Sequence, residues 1–199
     1  MNTTNFAIFV KQLQNRFPHH LLGRHRFRGQ ETVLVTREGL LEIARFLKED
    51  PATACDFLMD LTCVDYLTFG HTPSSAPTLR TPSPLPYSMS PKLVADTWKP
   101  LIDHAQYRFE VVYHFYSSSQ HHRLRVKVPL PAEDPTVDSL TSVYHAANWF
   151  EREVWDMFGV RFVGHPNLKR LLMYDAFVGH PLRKDYPVNK RQPLIGPVN

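Results

Sequence analysis

The residues best suited to chemistry in this 199-residue chain gather in its last third. Within residues 146–158 (AANWFEREVWDMF), Glu151, Arg152, Glu153 and Asp156 set three carboxylates around one guanidinium. Carboxylates beside an arginine tune one another's protonation, which general acid–base catalysis requires. The same residues serve as ion pairs. Arg152 and Asp156 stand at i and i+4 of a helix, where opposite charges meet, while Glu151 and Glu153 point to different sides. Ion pairing, within the chain or across a subunit interface, is the plainer expectation.

Downstream, Gly-His-Pro occurs twice, as Gly164-His165-Pro166 and Gly179-His180-Pro181. Either imidazole could bind a metal or carry a proton near neutral pH. Against this, no Glu or Cys sits at ligand spacing, whereas glycine's backbone freedom and proline's fixed φ account for a turn whose imidazole makes a hydrogen bond. The second block continues through Leu182, Arg183, Lys184, Asp185, Tyr186 and Pro187. Arg183 suits a bidentate carboxylate contact and Tyr186 a half-buried interface anchor, both residue types that dominate binding energy at interfaces. Cys55 and Cys63, in a lone C-x7-C spacing, match neither a zinc nor an iron–sulfur pattern and read as free thiols in or near a core. No G-x-G-x-x-G, phosphate loop or G-x-S-x-G is present, so nucleotide binding and serine hydrolysis lack support.

These side chains must be positioned by elements that the apolar pattern defines. Phe150, Val154 and Met157/Phe158 recur at helical spacing, and Gly159 reads as a left-handed C-terminal cap. Upstream, Phe6, Phe9, Val10, Leu13 and Phe17 form one face of a helix over 5–17 that Pro18 ends. Residues 32–36 (TVLVT) are a β-branched run feeding a helix with Leu40, Leu41, Ile43, Ala44 and Leu47 on one stripe ahead of Pro51. Residues 57–67 alternate as a strand with Phe57, Met59, Leu61 and Cys63 on one side, and Asp60 and Asp65 at its solvent side or ends. Residues 108–116 and 124–128 are strands that the polar SSSQHH joins as an antiparallel hairpin.

The expected fold class is α+β: a small, mostly antiparallel sheet packed with two or three helices, followed by an extended C-terminal arm. The α/β domain spans 1–159 and carries a Pro/Ser-rich surface insertion at about 70–100, a candidate partner contact whose six prolines between 73 and 91 rule out a ladder or helix. The arm spans 160–199, where prolines at 166, 181, 187, 193 and 197 prevent a sustained element. Such an arm must lie on something, its own domain or a neighbour.

No run of about 18 apolar residues exists, and Lys11 and Gln12 interrupt the stretch where a signal peptide would continue, so a cytoplasmic chain without a membrane span is expected. The net charge is +4, and the segment from Arg161 onward holds seven Lys or Arg, Arg170 among them, against Asp175 and Asp185. A basic tail can meet nucleic acid, anionic lipid or an acidic protein groove. Here the charges are spaced by Pro, Leu and Tyr rather than lined along a helix face, so no nucleic-acid partner is expected.

The run AANWFEREVWDMFGVRFVGHPNLKRLL (146–172), followed by GHPLRKDYP (179–187), resembles the signature of the C subunit of bacterial respiratory complex I, the NADH:quinone oxidoreductase, and of its mitochondrial counterpart. DLTCVDY, RFEVVYHFYS and RLRVKVPL extend the resemblance over most of residues 55–187. It implies a non-catalytic structural subunit of the peripheral arm of that complex, whose C-terminal arm wraps onto the quinone-site and iron–sulfur subunits. On that reading the chain carries no cofactor or metal, FMN and iron–sulfur clusters belong to partner subunits, and the protein sits peripherally at the cytoplasmic face of the inner membrane. The implied interface residues are Glu151, Arg152, Glu153, Asp156, Gly159, Gly164, His165, Pro166 and Arg170, together with Gly179, His180, Pro181, Leu182, Arg183, Lys184, Asp185, Tyr186 and Pro187. On that resemblance, the family usually bridges the region of the insertion with a much shorter turn. Two other readings stay open: the equivalent subunit of a membrane-bound hydrogenase complex, and a free-standing metal-dependent enzyme using the eleven histidines, which requires tightly held stoichiometric metal.

Overall fold

The structure is a computed structural model that describes residues 12–68, 102–190 and 192. The 70–100 insertion, the Phe6–Val10 part of the first helix and the end of the arm lie outside the described residues. In chain order the elements are β1 (Leu21–Phe27), β2 (Gln30–Val35), α1 (Leu40–Glu49), β3 (Phe57–Asp65), β4 (Phe109–Tyr116), β5 (Arg123–Leu130), β6 (Thr136–Asp138), α2 (Ala147–Phe158) and β7 (Arg161–Val163). Ahead of them, residues 12–16 are helical, with Leu13 and Phe17 buried before Pro18.

Five strands form one sheet in the order β1-β2-β5-β4-β3. The β4–β5 hairpin is antiparallel, as are β3–β4 and β1–β2, while β2 runs parallel to β5. The sheet is therefore mixed and mostly antiparallel, an α+β fold. Strand β1 was not legible as a strand, and its hairpin with β2 turns on Arg28 and Gly29, at φ 50° and 81°. Such a left-handed two-residue turn matches the twist of the strands it joins.

The core lies on one face of the sheet. Val33, Val35, Val111, Tyr113, Phe115, Val126 and Val128 pack with Leu40, Ile43, Ala44 and Leu47 of α1 and Val154 of α2. Burial of each such side chain contributes roughly 1.5–3 kcal/mol, which fixes α1 and α2 against that face. Strand β3 departs from simple alternation. A bulge between Leu58 and Asp60 shifts its phase, so Leu58, Leu61, Cys63 and Asp65 point inward while Phe57 and Met59 are exposed. One extra residue in a strand reverses the facing of everything before it. A short parallel pair, β6–β7, brackets α2; it too was missing from the expected pattern, being only three residues per strand.

Candidate functional site

Helix α2 ends where expected. Gly159 takes φ 75°, ψ 21° and its N–H bonds to the Trp155 carbonyl, the left-handed cap that an L side chain resists. The helix buries three charged side chains, Glu151, Arg152 and Asp156, while Glu153 faces solvent. What Arg152 and Asp156 meet is decided by the arm, which crosses this helix at residues 169–173.

Asp156 is fully buried. Its Oδ1 accepts a hydrogen bond from Arg170 Nη1 at 2.5 Å, and its Oδ2 accepts the backbone N–H groups of Leu171, Leu172 and Met173 at 3.0, 2.8 and 2.8 Å. Burial alone pushes this carboxyl up, but the amides and the Arg170 guanidinium outweigh it and hold the group below the usual carboxylate range. One turn back, Arg152 donates to the carbonyls of Lys169 and Arg170 at 3.2 and 3.0 Å. The expected Arg152–Asp156 pair is thus not formed. The crossing segment presents carbonyls to one residue and amides to the other, so each charge takes several backbone partners in place of a single side-chain one. Arg170 completes the knot: its guanidinium also donates to the carbonyls of Phe177 and Gly179 at 2.7 and 3.1 Å and lies 5.7 and 5.5 Å from the Trp155 and Phe177 ring centroids.

The second Gly-His-Pro block caps the same helix. The last carbonyls of a helix have no partner within it, and here Asp156, Met157 and Phe158 offer theirs to His180 Nδ1 (3.0 Å), the Leu182 N–H (3.1 Å) and Arg183 Nε. Burial holds the His180 imidazole below its ordinary value, so at neutral pH Nδ1 is the donor of a neutral ring. Arg183, expected to clasp a carboxylate, instead binds this helix end and lies over the Phe109 ring at 5.2 Å. The helix carbonyls, at the negative end of its dipole, are its counter-charge. Gly159 is required by this packing as well as by its φ, because a Cβ there would fall 2.5 Å from Arg183 Nη2 and 2.6 Å from the His180 ring.

The bidentate arginine–carboxylate contact lies elsewhere, at Arg108 and Asp65, which sequence reasoning did not single out. Arg108 donates to both carboxylate oxygens of Asp65 at 2.9 and 2.7 Å and to Asp185 at 2.9 Å, and the Lys184 N–H donates to Asp65 at 2.8 Å. Burial raises the Asp65 carboxyl, yet Arg108 and that amide bring it below its ordinary value. No local signal marks this pair, since 43 residues separate its members and only the β3–β4 register unites them.

The other candidates separate. Gly164-His165-Pro166 lies at the opposite end of α2, where His165 Nε2 meets the Asn148 carbonyl at 3.1 Å and Nδ1 accepts the Asn167 N–H at 3.0 Å. This is the turn with a hydrogen-bonded imidazole. Glu151 accepts Ser139 Oγ–H and the Leu140 N–H at 2.6 and 2.7 Å. No cation within 4.0 Å pairs with it among the described residues, and burial pushes its carboxyl up to about 7. Tyr186 is half-buried against Phe177 and Gln192 of the arm itself, while Lys184 and Pro187 are exposed. Both cysteines are buried free thiols, and burial pushes Cys55 up to about 12. Among the described residues no group of three or more His, Cys, Asp or Glu could hold a metal ion, and no helix is long and apolar enough to cross a membrane.

The arrangement ties the described arm to its own domain by these polar contacts and by buried Val160 and Phe162 and part-buried Leu168, and leaves several of its aliphatic side chains exposed. Leu172, Val178, Leu182 and Val188 are 58, 63, 50 and 99% exposed. Comparison with known proteins gives this geometry a family. Residues 33–192 match the family of the respiratory-chain NADH dehydrogenase 30 kDa subunit. The chain is 39% identical over 189 residues to the NADH-quinone oxidoreductase C subunit of Citrifermentans bemidjiense, covering 94% of both chains. Among solved structures, a trypsin-resistant fragment of Nqo5 is 26% identical with a TM-score of 0.55, covering 83% of this chain and 100% of the fragment. A chain of the membrane-bound sulfane sulfur reductase, an archaeal respiratory membrane complex, shares the fold at a TM-score of 0.62 and 20% identity, over 92% of this chain and 86% of that one. With a family match across most of its length and C-subunit relatives of near-equal length, the chain belongs to the 30 kDa, C-subunit family of the NADH-quinone oxidoreductase enzyme complex.

Proposed function

We propose that this chain is a non-catalytic structural subunit of the peripheral arm of a proton-translocating NADH:quinone oxidoreductase. It supports electron transfer from NADH, through FMN and iron–sulfur centres held by other subunits, to quinone. The observation that carries this reading is the contrast between the charged groups that the fold satisfies internally and the aliphatic side chains that the arm leaves exposed. Asp156, Arg152, Arg170 and Asp65, which would suit chemistry, are saturated by this chain's own backbone and arginines, while Leu172, Val178, Leu182 and Val188 face outward. A monomeric surface does not gain from exposed aliphatic side chains, whereas an interface core does.

In this reading the partners are the quinone-site and iron–sulfur subunits, met at the cytoplasmic face of the inner membrane. The chain keeps redox carriers at fixed separation, which matters because electron transfer slows steeply with distance. The test is extraction of native membranes in mild detergent, separation by size, and blotting for the chain beside an NADH-oxidation assay. Co-migration with a large NADH-oxidising complex is expected. A Leu172→Arg/Leu182→Arg variant, altered only at exposed positions, should fold yet drop out of that complex. Normal assembly with lost turnover would overturn the structural role.

A further inference from the structure

The face of the sheet opposite the helices carries a second pattern. The strand registers align His25, Thr32, Arg125, His114 and Asp60 in one row across all five strands. Arg123 stands two residues from Arg125 on β5, hence on the same face and about 7 Å away. None of these side chains joins the core shared with α1 and α2. A cleft of about 330 Å³ opens here, lined by Arg123, Arg125, His114, Gln30, Met59 and Asp60 among others.

The charges of this face are unequally occupied. Glu110 is held by Lys127 at 2.6 Å and by the Tyr66 hydroxyl at 3.0 Å; Glu31, which lines the cleft but alternates with core-facing Val33 and Val35, is held by Arg26 at 3.4 Å. Arg125 reaches only neutral oxygens, those of Thr32 and Gln30 at 3.5 and 3.4 Å, and Arg123 lies 5.9 Å from the Tyr116 ring. Neither arginine has a carboxylate within 4.0 Å among the described residues. The surplus positive potential registers on the two imidazoles of the row. Burial first, and then the neighbouring cations Arg125 and Lys127, hold His25 and His114 below their ordinary value. Exposed Met59 lines the cleft on the β3 side, so apolar contact is available beside the guanidinium groups.

We infer that the cleft on this sheet face is a docking surface separate from the arm, and that its occupant is an acidic, extended segment of a partner protein whose carboxylates seat on Arg123 and Arg125. Guanidinium forks match carboxylates in geometry as well as charge. Asp60, alone at the β3 edge, orients the segment with its acidic residues over β5. Two arginines without a carboxylate partner among the described residues are few for the run of phosphates that a nucleic acid presents, and exposed Met59 in the same cleft accepts an apolar side chain, so a protein segment is the better fit. The inference rests on the reading that the chain works within an assembly.

The test uses the full chain in its native membranes. Arg123→Glu/Arg125→Glu should fold, with the far-UV dichroism and urea midpoint of the parent, but enter the large complex about tenfold less or worse. Arg123→Lys/Arg125→Lys should enter normally and, treated with a carbodiimide, form amide cross-links from positions 123 and 125 to Asp or Glu of another chain. If the parent chain never co-migrates with a complex, the assembly reading fails and this one with it. If the parent assembles and the folded charge-reversal variant assembles equally well, or cross-links stay within the chain, the docking surface alone is refuted. Tight, salt-sensitive binding of a labelled single-stranded oligonucleotide that the charge reversal abolishes would likewise refute the protein occupant.

Discussion

Replacing Asp156 by Asn keeps the side chain's shape and removes its charge from the knot between α2 and the arm. The carboxylate accepts Arg170 and three consecutive amides. An amide side chain retains one acceptor oxygen, turns an NH2 group toward one set of donors, and leaves Arg170, whose side chain is 12% exposed, without its counter-charge. Breaking a buried charge pair by removing one partner costs about 3–5 kcal/mol. Exchanging charge-assisted for neutral hydrogen bonds, at about 1 kcal/mol each, gives a similar total. Against an overall stability of about 5–15 kcal/mol, this is a large fraction, equal to a fall in Tm on the order of 10 °C for a chain of this size. The assay is urea unfolding of the full chain by circular dichroism, with limited trypsin digestion read at Lys169, Arg170, Arg183 and Lys184 of the arm. Both the lower midpoint and faster arm cleavage are expected. The folded carboxyl lies below its ordinary value, so its contribution is present above the unfolded value near pH 3.9 and is lost as pH falls toward the folded one. Parent and variant should therefore converge in acid. A loss below about 1 kcal/mol at pH 7, or an arm cleaved no faster than in the parent, would refute the account of the knot.

Glu151→Gln reports the opposite sign. Its carboxyl is raised to about 7, so the parent loses stability as pH rises from about 4.3 to about 7, by roughly 4 kcal/mol at ~1.4 kcal/mol per pH step. The variant should lack this slope and be the more stable chain at pH 8 in urea titrations; equal slopes would show that Glu151 is not the titrating group. Gly159→Ala combines a left-handed φ with a Cβ driven into Arg183 and His180 and should cost about 2 kcal/mol or more, whereas Gly29→Ala, at φ 81° with nothing within 4 Å, should cost only about 1 kcal/mol for its backbone. Thermal unfolding of the two variants side by side checks this, and equal losses would show that the helix-end packing contributes nothing beyond φ.

Much of the architecture was legible because its signals are local. Helix α2 and its Gly159 stop, α1 with its 3.6-residue stripe, and the β4–β5 hairpin follow from side-chain periodicity and turn residues over a dozen positions. Strand β1 escaped because LLGRHRF, at a sheet edge, buries almost nothing and so has no apolar alternation. The facing of Phe57 and Met59 was misread because a bulge is a property of the pairing between two strands, and β3 alone does not record it.

The site divides along the same line. By itself the sequence drew attention to the charged helix 146–158, the two Gly-His-Pro turns, Arg170 and the PLRKDYP block, and of these Arg152, Asp156, His165, Arg170, His180 and Arg183 bond helix to arm. It also determined the family, since long runs of matching residues are a one-dimensional signal. Only the tertiary structure decided who binds whom. Asp156 turned from Arg152 to Arg170 and three amides, Arg183 to a helix carbonyl, and Asp65 to Arg108 and the Lys184 amide. A charged side chain leaving water takes whichever donors or acceptors the folded backbone brings within about 3 Å. Backbone groups exist at every residue, so no pattern of side chains along the chain can announce which of them will arrive.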